Sequence, residues 1–187
     1  GFSVGSQTVV PGTVNATPVL FSTGFRQLGL IARGTDNRLY YNRYVGPQAP
    51  VGSFDGRTIA SGWNGFGDLN GNFIGTQILS DGLMEEFAAS ATKSGKVDVI
   101  SKIKPNALES STLHHNDYDA ARFGLEPWKT VNWRGFEKIG DLATVGAPAI
   151  IAFDRNIEAV YVGQASNMFH AQTGDDFFRE TSFSLLS

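Results

Sequence analysis

LGLIARGTDNRLYYNR, residues 28–43, is the stretch that decides the fold of this chain. In its first half Leu28, Leu30 and Ala32 alternate with other residues, and this period of two is typical of a β-strand. Residues 34–37, Gly-Thr-Asp-Asn, favour a turn, because Gly, Asp and Asn tolerate left-handed backbone angles. Residues 39–44, which are rich in aromatic side chains, predict a second strand. The segment is therefore predicted to form a β-hairpin.

This hairpin recurs twice further along the chain. VDVISKIKPNALESST, residues 97–112, aligns with residues 28–43 without gaps at an offset of 69, and IEAVYVGQASNMFHAQ, residues 157–172, does so at an offset of 129. A Trp-x-Gly-Phe marker at Trp63 recurs at Trp133, and the first two residues of the chain match its end. Repeats of short strands at such spacings indicate a β-propeller or a β-solenoid.

We predict an all-β protein, a β-propeller of about three four-stranded blades in a single domain, 1–187. The repeats are placed at 18–85, 86–146 and 147–187, and the N-terminal strand 1–10 is expected to complete the last of them. Three blades are too few for a closed ring, because propellers typically have 4–8. A second chain or further blades are therefore expected to complete the ring, and a homodimer is one way of doing so.

The ungapped alignment also makes detailed predictions. It places Leu39, Leu108 and Met168 at one position in the third strand of each repeat, and it predicts a polar loop at 115–127. Residues 83–91 are the nearest approach to helical periodicity, but the segment is short for a helix. The strands expected in the second and third repeats are 87–92, 97–103, 107–114, 129–139, 148–153, 157–163, 167–172 and 177–186.

Composition narrows the possible functions. The 187 residues are 41% hydrophobic and 18% charged, which is typical of a soluble globular protein. The net charge of −3 provides no basic surface, so nucleic acid is not an expected partner. The absence of cysteine excludes disulfides and thiolate chemistry, and no apolar run approaches the roughly 20 residues of a membrane span. Because the chain opens at Gly1, we expect a signal peptide, pro-segment or tag to have been removed.

The segment ARGTDNRLYY, residues 32–41, followed by GWNGF, residues 62–66, resembles the repeats of the PLL-like bacterial and fungal β-propeller lectins. The resemblance is best over residues 18–66. It is partial in the second repeat, where SKIKPN replaces the Arg-Gly-Thr-Asp stretch, and weak in the third. It implies a secreted or surface-exposed protein that binds glycans in pockets between neighbouring blades. Position by position, the resemblance implies ligand contacts from Arg33, Tyr40, Trp63 and Trp133.

The residue types at these positions suit sugar binding. An aromatic face can pack against the C–H groups of a sugar while polar side chains bind its hydroxyls. Trp63 and Trp133 could supply that face, and Arg33, Asp36 and Asn42 could supply hydrogen bonds. Equally, both tryptophans could pack between blades as core residues.

The sequence also offers one candidate metal cluster and two alternative functions. The segment HHNDYD, residues 114–119, is the densest metal-like cluster, and a solvated polar loop is the simpler interpretation, so no metal or other cofactor is expected. A structural or assembly subunit of a spike, fibre or coat is the alternative function, since degenerate repeats need only keep their packing positions. A glycosidase or lyase on a propeller scaffold is the third.

Overall fold

The computed structural model describes residues 13–24, 27–45, 53–54, 57–58, 62–63, 76–78, 83–92, 96–118, 133–153, 156–164, 166–173 and 184–185. Within these residues every element of regular secondary structure is a β-strand, so the expected all-β class is confirmed. The N-terminal strand predicted at 1–10 lies outside these residues. The strands are β1 (Val19–Gly24), β2 (Gln27–Arg33), β3 (Leu39–Val45), β4 (Ser53–Phe54), β5 (Arg57–Thr58), β6 (Gly62–Trp63), β7 (Thr76–Ile78), β8 (Leu83–Ala91), β9 (Val97–Lys104), β10 (Thr112–Tyr118), β11 (Glu137–Phe153), β12 (Asn156–Gly163), β13 (Met168–Thr173) and β14 (Ser184–Leu185).

The first hairpin is the centre of a five-stranded sheet. Strands β1, β2 and β3 pair in chain order, and both β6 and β7 pair with β3. The hairpin closes where Arg33 pairs with Leu39. In the turn, the Gly34 amide donates to the Arg38 carbonyl at 2.9 Å, and Asn37 has a φ of 61°. Asn is one of the few residues that accept this left-handed angle at low cost, so the sequence sets the turn.

The third hairpin repeats that turn with a different sequence. The Gly163 amide donates to the Asn167 carbonyl at 3.0 Å, and Ser166 adopts a φ of 62°. These residues lie at the offset of 129 from Gly34, Arg38 and Asn37. The gapless alignment of the first and third hairpins therefore holds in three dimensions.

The second hairpin has a longer turn than the gapless alignment allows. Five residues separate Arg33 from Leu39 at the end of the first hairpin, whereas ten separate their counterparts Lys102 and Leu113. The buried Leu113 therefore occupies the place that the alignment assigned to Leu108.

Leu108 lies instead in the turn, with 98% of its surface exposed. The Asn106 side-chain oxygen accepts hydrogen bonds from the amides of Leu108 and Glu109, and such a local bond competes with strand pairing. The strand predicted at 107–114 and the loop predicted to begin at residue 115 are therefore wrong, because β10 runs from Thr112 to Tyr118.

A seven-stranded sheet contains the second and third hairpins, in the order β14-β13-β12-β11-β10-β9-β8. Its central strand, β11, is 17 residues long and joins what was predicted as two strands, 129–139 and 148–153. Up to Ala143 it pairs with β10, and from Thr144 it pairs with β12. The register shifts between Val145 and Ala149, a stretch that contains Pro148, which has no amide to donate. The gap expected between the predicted strands 129–139 and 148–153 is therefore absent, and a bulge lies within one continuous strand instead.

Residues 83–91, the nearest helical candidate in the sequence, form β8, which begins four residues before the strand predicted at 87–92. Strand β9 beside it is buried along both faces over most of its length. Burial on two sides removes the alternation of polar and apolar residues that marks a strand. No helix among the described residues is long and apolar enough to cross a membrane.

Two apolar clusters hold successive hairpins together. We call the front face of each hairpin the one that carries Ile31, Ile100 or Val160, which are aligned positions. The front of the first hairpin packs on β8, β9 and β10 through Ile31, Leu39, Tyr41, Met84, Phe87, Ala89, Val97, Val99, Ile103, Tyr118 and Trp133. The front of the second packs on the third hairpin through Ile100, Leu113, Ile139, Ala159, Tyr161 and Ala171. Each hairpin thus packs face to face on the next.

Within the part of the chain that the structure describes, the front of the third hairpin has no such neighbour over part of its surface. Ile151 is 58% exposed and Met168 is 48% exposed on this face, and Val160 between them is half-buried. Their aligned counterparts in the first hairpin include Leu39 and Ile31, both fully buried against the second.

Candidate functional site

A cleft lies where the first hairpin meets the strands of the second. Its volume is about 400 Å³, and it is lined by Arg33, Asn37, Met84, Glu85, Glu86 and Lys102. Arg33 and Asn37 come from the end and the turn of the first hairpin, and the other four come from β8 and β9. The cleft therefore exists because two consecutive hairpins pack face to face.

Arg33 crosses the boundary between the two hairpins. Its Nη1 donates to the backbone carbonyl of Met84 at 2.9 Å and also to that of Glu85. Its Nε donates to the Asn15 side-chain oxygen at 2.8 Å. Asn15 in turn donates from Nδ2 to the Asn37 side-chain oxygen at 3.0 Å, so the guanidinium joins the start of β8 to the turn of the first hairpin.

Two carboxylates and one ammonium converge on the other wall of the cleft. Lys102 Nζ lies 3.2 Å from Glu85 Oε2 and 3.0 Å from Glu86 Oε2. Ser111 Oγ donates to Glu85 Oε2 at 2.7 Å. Both glutamates keep part of their side chains exposed, 35% for Glu85 and 45% for Glu86, so they can still accept hydrogen bonds from a ligand.

These contacts shift the pKa values of two groups. Burial alone would raise the pKa of Glu85, but hydrogen bonds from Ser111 and Lys102 outweigh it and hold that pKa below its ordinary value. Burial would likewise lower the pKa of Lys102, but its hydrogen bonds to Glu86 and Glu85 raise it. At neutral pH the cleft therefore presents a carboxylate at Glu85 and an ammonium at Lys102.

Tyr40 is one of the residues implied as a ligand contact, and the structure places it away from the cleft. It pairs with Ala32, on the face of the first hairpin opposite to Ile31 and Tyr41, and it is buried. Its hydroxyl donates to Asp36 Oδ2 at 2.7 Å. Burial first, and then this bond to Asp36, raises the pKa of Tyr40 to about 12. Asp36 and Tyr40 are thus bonded to each other.

The structure describes the side chain of Trp133 but not that of Trp63. Trp133 is only 3% exposed, with its ring centroid 6.0 Å from that of Tyr41 and 5.8 Å from that of Tyr118. It lies in the first apolar cluster, which is the core role that the sequence left open. The Trp63 backbone pairs with Tyr44, and its side chain lies outside the described residues.

The His-Asp segment in β10 is a buried polar cluster, so the expected solvated loop is wrong for residues 114–118. His115 Nε2 lies 2.9 Å from Asp98 Oδ1, which also lies 3.2 Å from Lys96 Nζ. Asp117 Oδ1 lies 3.4 Å from Arg134 Nε. Burial first raises the pKa of Asp117, against the lowering effects of His115, Arg134 and Lys96. Over the described ranges, no group of three His, Asp or Glu side chains could hold a metal ion.

Arg33, Tyr40 and Trp133 are the implied residues whose side chains the structure describes, and of these only Arg33 lines the cleft. The role of all four in ligand binding stays a prediction. The sequence analysis did not identify Glu85, Glu86 or Lys102 as site residues, although the gapless alignment gives Lys102 the position that Arg33 has in the first repeat. The sequence does not show where the side chains of Glu85 and Glu86 lie, because that depends on how strand β8 pairs with β9.

Comparison with solved structures identifies the fold. The chain is similar to the Aleuria aurantia lectin N224Q mutant in complex with Fucα1-6GlcNAc, at a TM-score of 0.51 and 14% identity. It is also similar to the same mutant in complex with α-methyl-L-fucoside, at a TM-score of 0.52 and 14% identity. Each match covers 100% of this chain and 48% of the lectin, so the chain spans about half the length of these neighbours. No family model and no curated protein sequence matches the chain.

This likeness, together with the sheets described above, shows part of a β-propeller. The three hairpins belong to successive blades, and the cleft lies between two of them. Both neighbours are lectins, but at 14% identity the likeness shows the fold alone, and nothing in the comparisons singles out the PLL-like group.

Proposed function

We propose that the chain is a carbohydrate-binding propeller lectin that recognises glycans on cells or other surfaces through the cleft between its first two blades. The observation that carries this proposal is the convergence of Glu85, Glu86 and Lys102 on an open cleft at a blade boundary. Carboxylates accept hydrogen bonds from sugar hydroxyls and an ammonium donates to them. The solved neighbours, which are lectins in complex with fucosides, support the same class of ligand.

The charges of the cleft favour a neutral sugar. Arg33 and Lys102 contribute two positive charges, and Glu85 and Glu86 contribute two negative charges, so the four groups sum to zero. An anionic sugar such as a sialic or uronic acid would bring an uncompensated carboxylate close to two others. Like charges at short range are repulsive, so neutral sugars are the better fit.

Calorimetric titration tests the proposal. We expect α-methyl-L-fucoside or Fucα1-6GlcNAc to bind wild-type protein, and Glu86→Gln to weaken binding about ten-fold, the effect of about 1.4 kcal/mol. Glu109→Gln is the matched control, because Glu109 is exposed in the turn of the second hairpin and outside the cleft. Absence of heat with both fucosides and with galactose, or equal affinities for the two variants, would contradict the proposal.

A second candidate is an assembly role, and the open front of the third hairpin favours it. Ile151 and Met168 lie exposed where the equivalent face of the first hairpin is covered by a neighbouring blade. A further blade, from a second copy of this chain or from elsewhere, would bury them and extend the ring. A further blade packed on Ile151 and Met168 would leave the sugar-binding cleft open, because the cleft lies at a different blade boundary.

A further inference from the structure

A β-bulge sets the direction of the two glutamates. Met84 pairs with Ile103 and Phe87 pairs with Ser101, so Glu85 and Glu86 together oppose the single residue Lys102. In a regular strand, neighbouring side chains point to opposite faces of the sheet. The bulge places two residues against one, and both carboxylates reach the same ammonium, at 3.2 and 3.0 Å.

The Arg33 guanidinium binds the backbone of this bulge and not its carboxylates. Nη1 donates to the carbonyls of Met84 and Glu85, and Nε and Nη2 donate to the side chain and the backbone carbonyl of Asn15, at 2.8 and 3.4 Å. A guanidinium has five N–H donors, and these four bonds leave it one for a ligand.

We propose that Arg33 is a positioning residue, which fixes the β8 bulge across the blade boundary so that Glu85, Glu86 and Lys102 are the groups that contact the sugar. The assignment rests on the proposed function and changes the role that the family resemblance implies for Arg33. The guanidinium binds the two carbonyls of this bulge through Nη1 and also binds Asn15 through Nε and Nη2. Because a lysine carries all its donors on one nitrogen, it would not reproduce the four hydrogen bonds together.

Among the described residues, the next blade boundary differs from this arrangement. The residue aligned with Arg33 there is Lys102, which is paired with Glu85 and Glu86, and the bulge of β11 contains Gly146, Ala147 and Pro148, with no carboxylate. The proposal therefore predicts that sugar binds at the first boundary and not at the second.

The first test needs no ligand. In Arg33→Met, an apolar side chain replaces the guanidinium, and we expect the pKa of Glu85, followed by NMR titration of the folded variant, to rise from its lowered value. Arg38→Met, in the exposed turn of the same hairpin, is the control and should leave the Glu85 pKa unchanged. If Arg33→Met does not fold, Asn15→Ala removes the partner of Nε and should give a smaller rise. An unchanged Glu85 pKa in a folded variant would overturn the proposal.

The second test is a mutant cycle on sugar affinity. If Arg33 acts through the carboxylates, Arg33→Met should weaken binding of α-methyl-L-fucoside about ten-fold in the wild type and have little further effect when Glu85→Gln and Glu86→Gln are both present. Arg33→Lys should not restore affinity. Additive losses would show that Arg33 contacts the sugar itself and would overturn the assignment. If the wild type binds no sugar, the proposed function fails, and the Glu85 titration alone decides the role of Arg33.

Discussion

Trp133 is the residue at which a ligand role and a core role predict different measurements. It is buried between Tyr41 and Tyr118, where the first two blades meet. We expect Trp133→Ala to lower the free energy of unfolding by about 3–5 kcal/mol, the usual cost of removing a large buried aromatic side chain. Urea denaturation measures this. Leu108→Ala, in an exposed turn, is the control and should change stability by less than about 0.5 kcal/mol. A stable Trp133→Ala protein that has lost sugar binding would contradict the core role.

Some features of individual residues can be predicted from the sequence, and others depend on which strands pair. The local turn chemistry of residues 34–37 could be predicted, because a φ of 61° at Asn37 depends on the residue itself. The direction of Glu85 and Glu86 could not, since it depends on which residue of β9 lies opposite them. The family resemblance led to Arg33 but gave no indication that four of its five donors are already used by backbone carbonyls and Asn15.

Among the elements, the turn of the third hairpin carries a measurable strain. Ser166 has a φ of 62°, and a side chain with a β-carbon pays for this conformation, whereas glycine does not. We expect Ser166→Gly to raise the free energy of unfolding by about 0.5–1 kcal/mol in urea denaturation. Ser166→Ala keeps the β-carbon and is the control, with no stabilisation expected. A destabilised Ser166→Gly protein would mean that the serine side chain makes a contact worth more than the strain.

Comparison of the three hairpins explains why the element predictions succeeded unevenly. The first and third hairpins share a turn length, so a gapless alignment finds their strands. The second has ten residues between Lys102 and Leu113, and there the alignment placed Leu108 in a strand that begins only at Thr112. Side-chain periodicity predicts that a strand is present, but extra residues in a turn shift the start of the next strand relative to a gapless alignment.

For the whole molecule, the open front of the third hairpin predicts a partner. Ile151 and Met168 belong to a face whose counterpart in the first hairpin is fully packed, and exposed apolar surface of this kind marks an interaction site. We expect light scattering coupled to gel filtration to give a particle heavier than the 20.2 kDa of one chain. Ile151→Lys should shift the particle towards the single chain, and Leu108→Lys, at an exposed turn, should not. A stable single chain at micromolar concentration would contradict this covering.

The most direct test of the account is an NMR titration of the ¹⁵N-labelled protein with α-methyl-L-fucoside, because it reports both whether the sugar binds and where. If the cleft between the first two blades is the site, the amide signals of Asn37, Glu85 and Lys102 should shift with one common dissociation constant. The signals of Gly146 and Ala147, in the β11 bulge at the next boundary, should stay in place. Shifts confined to residues away from the cleft, or no shifts with this or any other neutral sugar, would contradict the account.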